Sequence, residues 1–267
     1  MLRALAAGIL VSISCSIVGT FVVLRGLAFI GDALAHGVLP GVAVAILLGI
    51  PGMIGAALGA LVMIGGVSLV QARSRLSSDT AIGLLFVGML ALGVVIVSSS
   101  STFSGDLIRI LFGELLGVSV EDLVIQAVVT VGVAAVAFVC ARPFLLLCFD
   151  PEQAQVAGFP ARAYHVVMLL LVAATVIVSF QSVGTLLVFG MLLAPAGAGA
   201  LIARRIGAMM AWGIAFGTIA TYVGLLLSYN LDTAAGATVV LVAVGIFFAV
   251  LFVQNVRGRG VGRRVVA

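Results

Sequence analysis

The chain reads as all-α, a polytopic membrane helical bundle with eight or nine transmembrane helices, and three observations support this. Of its 267 residues, 64% are hydrophobic and only 8% are charged, whereas soluble domains carry about 25% charged residues. Apolar runs of about 20 residues, the length that crosses a bilayer, recur from one end to the other. Arginines collect in alternate connections between those runs. The predicted organisation is one transmembrane domain over residues 1–256 and a basic tail over 257–267.

The apolar segments run over about 4–24, 27–50, 52–71, 80–98, 120–141, 164–182, 184–203, 206–228 and 233–253. The first is too long for the apolar region of a secretory leader, and Arg25 separates it from the small residues at 33–35, so it is expected to stay as a span. Gly37, Pro40 and Gly41 lie inside the second, which predicts a kink or break there. The fourth is expected to start on Asp79 as its cap, with Ser77 and Ser78 competing for that role. Pro195 sits among small residues in the seventh, which is expected to be irregular for the same reason as the second. Glycines such as Gly55, Gly59, Gly190 and Gly197 allow close helix approach where no hydrophobic force separates lipid from protein.

Nine crossings put Arg25, Arg73, Arg75, Arg142, Arg162, Arg204, Arg205 and the four arginines of the tail on one side, eleven of thirteen. Arginine-rich short loops stay in the cytoplasm, so the C-terminus is expected there. Asp106, Glu114, Glu121, Asp122 and Asp232 then face outward, either as a cation-concentrating mouth or as ordinary solvated loop charges. Between the fourth and fifth spans, Asp106 to Glu114 has the mixed polarity of a short helix lying at the outer interface.

Composition also excludes functions. All thirteen basic residues are arginine, and a Walker A loop needs a lysine on the nucleotide phosphates. The chain is therefore no P-loop ATPase, and lysine-dependent Schiff-base chemistry is absent too. No nucleophile–base constellation or HExxH motif appears, so no enzyme is expected and no resident cofactor. Cys15, Cys140 and Cys148 have no C-x-x-C pairing and read as small buried hydrophobes.

Asp32 and His36 stand out against this background. They are four residues apart in an otherwise apolar span, which places both on one helix face. Ionisable groups at membrane depth cost roughly 2.5–3.5 kcal/mol each on insertion scales and usually mark a transport path. A carboxylate and an imidazole aimed at one point form a half-site for a divalent metal such as zinc or manganese. The plainer alternative is an aspartate capping its own helix and a histidine bonded to a neighbouring one.

A second polar island follows the fifth span. Asp150 before Pro151 and Glu152 predicts a helix start, with Asp as the cap and Pro at the first helical position, and Gly158 and Pro160 close it. This two-turn cytoplasmic helix is either a docking surface or an amphipathic linker. His165, beside Arg162 and Tyr164, reads as a structural interface histidine.

The stretch Gly31-Asp-Ala-Leu-Ala-His-Gly-Val-Leu-Pro-Gly41 resembles the signature of the permease subunits of ATP-binding-cassette importers for zinc, manganese or iron(II), with Ala35 and Gly37 as mild departures. Blocks at 78–83, 110–118, 149–152, 181–188 with 193–196, and 227–232 follow in family order, so the resemblance covers about residues 8–253. It implies that Asp32 and His36 line the central path and coordinate the ion in transit. It also implies that Phe149, Asp150, Pro151 and Glu152, with Ala154 and Gly158, form a coupling helix seated on a separate ATPase. Glu152, Ala154 and Gly158 follow the family's E-A-A-x-x-x-G pattern loosely, since Gln153 replaces the first Ala. The implied assembly is a permease homodimer in a bacterial inner membrane, with two ATP-binding subunits and an extracytoplasmic metal-binding protein. Lipid surrounds it and nucleic acid has no part. The transported ion, zinc or manganese, is cargo. The competing class is a proton-coupled secondary transporter using the same pair as a proton relay.

Overall fold

The computed structural model describes residues 2–74, 76–98 and 117–262, and they contain no strand. Twelve helices are described. The first five are α1 (Leu2–Leu24), α2 (Ile30–Gly37), α3 (Leu39–Leu47), α4 (Gly52–Arg73) and α5 (Ser78–Ser98). Then follow α6 (Val120–Val139), α7 (Ala141–Phe149), α8 (Pro151–Val156), α9 (Ala161–Val183), α10 (Thr185–Ile202), α11 (Ile206–Leu231) and α12 (Ala235–Gly262). Among these residues, nine helical stretches are long and apolar enough to span a membrane, counting α2 and α3 as one broken span over Ile30–Leu47. The interfacial helix expected over 106–114 lies outside the described residues.

The bundle is built on α1, α10 and α11, which pack on one another, with α12 against α10 and α11 and with α6 against α1. A second group, α2 to α5, packs largely on itself, and α9 touches both groups. The buried face of α1 carries Val11, Cys15, Val18 and Val22, set against Leu187, Val188, Met191 and Leu192 of α10. Lipid tails are as apolar as these side chains, so close contact, not water exclusion, has to hold the helices together.

Small residues supply that contact. Along the α1–α11 seam, Gly8 faces Thr221, Ser12 faces Gly217 and Ser16 faces Gly213. The pairs step four residues at a time in opposite directions, as an antiparallel helix pair requires. Ser12 Oγ donates to the Ile214 carbonyl at 3.3 Å across the same seam. Deeper in, Gln126 of α6 and Ser179 of α9, both fully buried, bond to each other at 3.2 Å. A buried polar side chain needs such a partner, because hydrocarbon offers none.

Local chemistry sets the helix ends. Ser119 and Asp122 form a capping box at the start of α6, so this carboxylate of the outer group is committed to a helix terminus. Ser77 caps α5 by accepting from Thr80 N at 3.2 Å. Asp79 therefore lies in the first turn and is not the cap. Gly184 joins α9 to α10 at φ +85°, a conformation open to glycine at no steric cost.

Two elements differ from the sequence reading. Helix α10 runs without interruption through Pro195, because neighbouring helices and small residues accommodate a proline in a transmembrane helix. The expected irregularity there is absent. The chain after α6 forms the short helix α7, bent off at Cys140, an element that apolar run length did not mark. Its buried Phe144 sits edge-on to Phe21 at 5.2 Å between ring centres, which anchors a segment too short to be stable alone.

The α3–α4 contact yields a stability prediction. Gly41 and Gly55 oppose each other so closely that a Cβ on either would drive into the carbonyl of the other. Backbone cannot step aside as a side chain can, so Gly55→Ala is expected to cost about 1–3 kcal/mol. A Cβ at Gly65, on the same helix, meets nothing within 4 Å, and Gly65→Ala is expected to be neutral or to gain up to ~1 kcal/mol in helix propensity. Thermal melts of the two variants in detergent separate them, and equal melting temperatures would reject the packing account.

Candidate functional site

The break in the second span falls at Val38, the residue that ends α2 and precedes α3. Pro40 has no N–H to donate to the carbonyl of His36, and its ring crowds that carbonyl. The expected kink is therefore present, one residue wide. Asp32 lies in the first turn of α2, where a negative side chain meets the positive end of the helix dipole. His36 lies one turn on. Both sit in the half of the span nearer Arg25.

The two side chains converge. His36 Nε2 lies 3.4 Å from Asp32 Oδ1, with 20% of the histidine and 34% of the aspartate side chain exposed. Phe86 of α5 stands edge-on to the imidazole at 5.6 Å between ring centres. Met63 of α4 packs against Gly37, where an added Cβ would come within 3.2 Å of it. The pair thus has apolar walls on α4 and α5 and a partly open front.

The plainer alternative does not describe this geometry. No side chain caps the start of α2, so Asp32 is not spent on its own helix. His36 Nδ1 is buried without a hydrogen-bond partner, so the ring is not held by a neighbouring helix. The described residues contain no group of three or more His, Cys, Asp or Glu side chains able to hold a metal. One chain therefore offers two donors, an oxygen and a nitrogen.

On the other polar island, Asp150 caps α8 by accepting from Glu152 N at 2.9 Å and Gln153 N at 3.1 Å. The predicted start is correct, and α8 is shorter than two full turns. Gly158 at φ +84° ends it. Ala154 is 1% exposed and pins the helix to the body, while Phe149 is 71% and Val156 90% exposed. Glu152 is also exposed. Sequence reasoning missed Val156, since nothing local distinguishes an outward valine from the many inward ones.

Beneath α8, the rings of Phe159, Tyr164 and Phe144 stack edge to face in series. Arg25, in the turn between α1 and α2, donates to His165 Nδ1 of α9 at 2.6 Å. Guanidinium has no acceptor, so this bond requires the neutral imidazole with its proton on Nε2. His165 is an interface residue, as its position suggested, and its partner ties α9 to the turn that leads into the Asp32 helix. Cys148 lies in the same region, and burial pushes its thiol up to about 11, with the Arg25 charge opposing. It stays protonated at neutral pH and offers no thiolate to a metal.

Nine membrane-length spans among the described residues, with an ionisable pair in a broken helix, are the build of a membrane transport protein. The chain belongs to the ABC 3 transport family, which it matches over residues 1–254, and is a multi-pass transport protein, not an enzyme. It is 37% identical to the manganese transport system membrane protein MntC of Halalkalibacterium halodurans, over 96% of this chain and 88% of that protein. It is 36% identical to a probable iron transport system membrane protein of Haemophilus influenzae, over 97% and 95% of the two chains. Among solved structures, PsaBC from Streptococcus pneumoniae in complex with Fab superposes with TM-score 0.83 at 34% identity, covering 93% of this chain and 90% of that one.

Proposed function

We propose that the chain is the permease subunit of an ATP-driven importer of a divalent transition metal, with manganese the favoured cargo. The observation that carries this reading is the convergence of Asp32 and His36 within 3.4 Å on the broken second span. Oxygen and imidazole donors without thiolate suit manganese or zinc and disfavour copper(I). Relatives named for manganese and for iron transport support a metal of that class. Two copies facing one another would bring four donors to a shared path, enough for a tetrahedral shell. A transit site needs binding weak enough to release its ion, and a pair of donors from each side meets that need.

The exposed surface formed by Phe149 at the end of α7 and by Glu152 and Val156 of α8 is the one on which a cytoplasmic ATP-binding subunit docks. Its closure pushes through Ala154 and the aromatic series to α9, and through the Arg25–His165 bond to the turn ahead of Asp32. An extracytoplasmic metal-binding protein delivers the ion at the opposite face. The permease sits in a bacterial inner membrane with its C-terminus on the cytoplasmic side, a reading that the arginine distribution supports.

The test is uptake by proteoliposomes holding the permease and its ATPase, with manganese, zinc and iron(II) compared at equal free concentration. ATP-dependent manganese accumulation is the expected result. Accumulation that ignores ATP depletion and collapses with a protonophore would overturn it in favour of a proton-coupled transporter.

A further inference from the structure

A groove of about 850 Å³ opens between α1, α6, α7 and α11, away from the Asp32–His36 pair. Its floor is Ile17 and Phe21, and its width comes from small residues, Ala137, Ala141, Gly207 and Ala211. A Cβ added at Gly207 meets nothing within 4 Å, so the space is open. Every lining residue is apolar except Arg142, which is exposed. Arg204 and Arg205 immediately precede Ile206, which also lines the groove, and all three arginines are exposed. No side-chain hydrogen bond or ion pair involves them among the described residues. The nearest following carboxylate, Asp150, is already occupied by the amides of α8.

We propose that this groove holds an acyl chain of an anionic phospholipid, whose phosphate is bound by Arg142 with Arg204 and Arg205. An apolar channel at a bilayer-facing surface fills with hydrocarbon, and each methylene buried adds about the same increment whatever the head group. The head group therefore decides selectivity. A zwitterionic lipid offsets its phosphate with its own amine, whereas an anionic lipid presents net charge to the arginines. Basic pockets between helix ends at the membrane surface recognise such head groups. The bound lipid braces α7 against α11 next to the α8 segment. This proposal does not depend on the identity of the cargo.

The chain's single tryptophan reports on it. Trp212 follows Ala211 on α11 and is 45% exposed. The full chain is reconstituted in phosphatidylcholine vesicles containing increasing fractions of either brominated phosphatidylglycerol or brominated phosphatidylcholine, and Trp212 fluorescence is read. Half-quenching is expected at a roughly fivefold lower fraction of the brominated phosphatidylglycerol. In Gly207→Leu, which fills the groove and keeps every arginine, the two curves are expected to merge. They are also expected to merge in the combined Arg142→Gln, Arg204→Gln, Arg205→Gln variant. Coincident curves in the parent protein would overturn the proposal, as would a preference that survives either variant. No quenching by either lipid would also overturn it, and would assign the groove to a second copy of the chain.

Discussion

Asp32→Ala and His36→Ala are each expected to reduce ATP-dependent manganese uptake by ~100-fold or more, to background, with protein levels in the membrane unchanged. Loss of a partner that merely orients a metal ligand costs 10–100-fold, and a pair that supplies both donors of one chain has nothing in reserve. The fold should tolerate the change, since a partly exposed polar contact of this kind contributes roughly 0–1 kcal/mol and both side chains have an open front. Asp32→Glu and His36→Gln separate coordination from charge. The first keeps a carboxylate and is expected to retain partial uptake, while the second keeps a polar side chain and loses the imidazole. Measurement is of manganese accumulated by proteoliposomes, with membrane content checked by immunoblot. Parent-level uptake by both alanine variants would reject the site.

The second large effect concerns α8. Deletion of residues 150–158, or the pair Phe149→Asp and Val156→Asp, is expected to abolish copurification of the ATP-binding subunit and with it ATP-driven transport. Phe149 and Val156 are among the most exposed large apolar side chains in the described chain. Exposed apolar groups beside a charged residue are what a docking surface presents, since alone in water they would be a liability. Glu152→Arg reverses the charge of this face without touching the core and should weaken the association in a salt-dependent way. Ala154→Asp is the informative contrast. Ala154 is buried, so that variant should lower the melting temperature, whereas the surface variants should not. Unchanged copurification in the Phe149 and Val156 variants would reject the docking role.

Much of this architecture was legible in the residues because it depends on near neighbours. Apolar run length marked the spans, and their boundaries fell within a few residues of α1, α4, α5 and α11. Asp150 followed by proline gave the start of α8, since a capping carboxylate and a fixed φ act within one turn. Pro40 located the break ahead of it. The same rule failed at Pro195, because neighbouring helices in a membrane bundle can accommodate the backbone groups a proline frees. Asp79 was less legible than Ser77, for two adjacent capping side chains compete and only the backbone path selects between them.

The residues by themselves determined that Asp32 and His36 share a helix face, that the span carrying them is broken nearby, and that one end of the bundle is basic. Those properties follow from 3.6-residue periodicity, proline stereochemistry and charge placement, all local. Tertiary structure alone decided that Phe86 and Met63 wall the pair, that Arg25 reaches His165, that Ala154 faces in and Val156 out, and that Gly8, Ser12 and Ser16 match Thr221, Gly217 and Gly213. Each of these joins segments distant in sequence. In a bundle where nearly every side chain is apolar, which residue meets which is set by shape at close range, and hydropathy does not record shape.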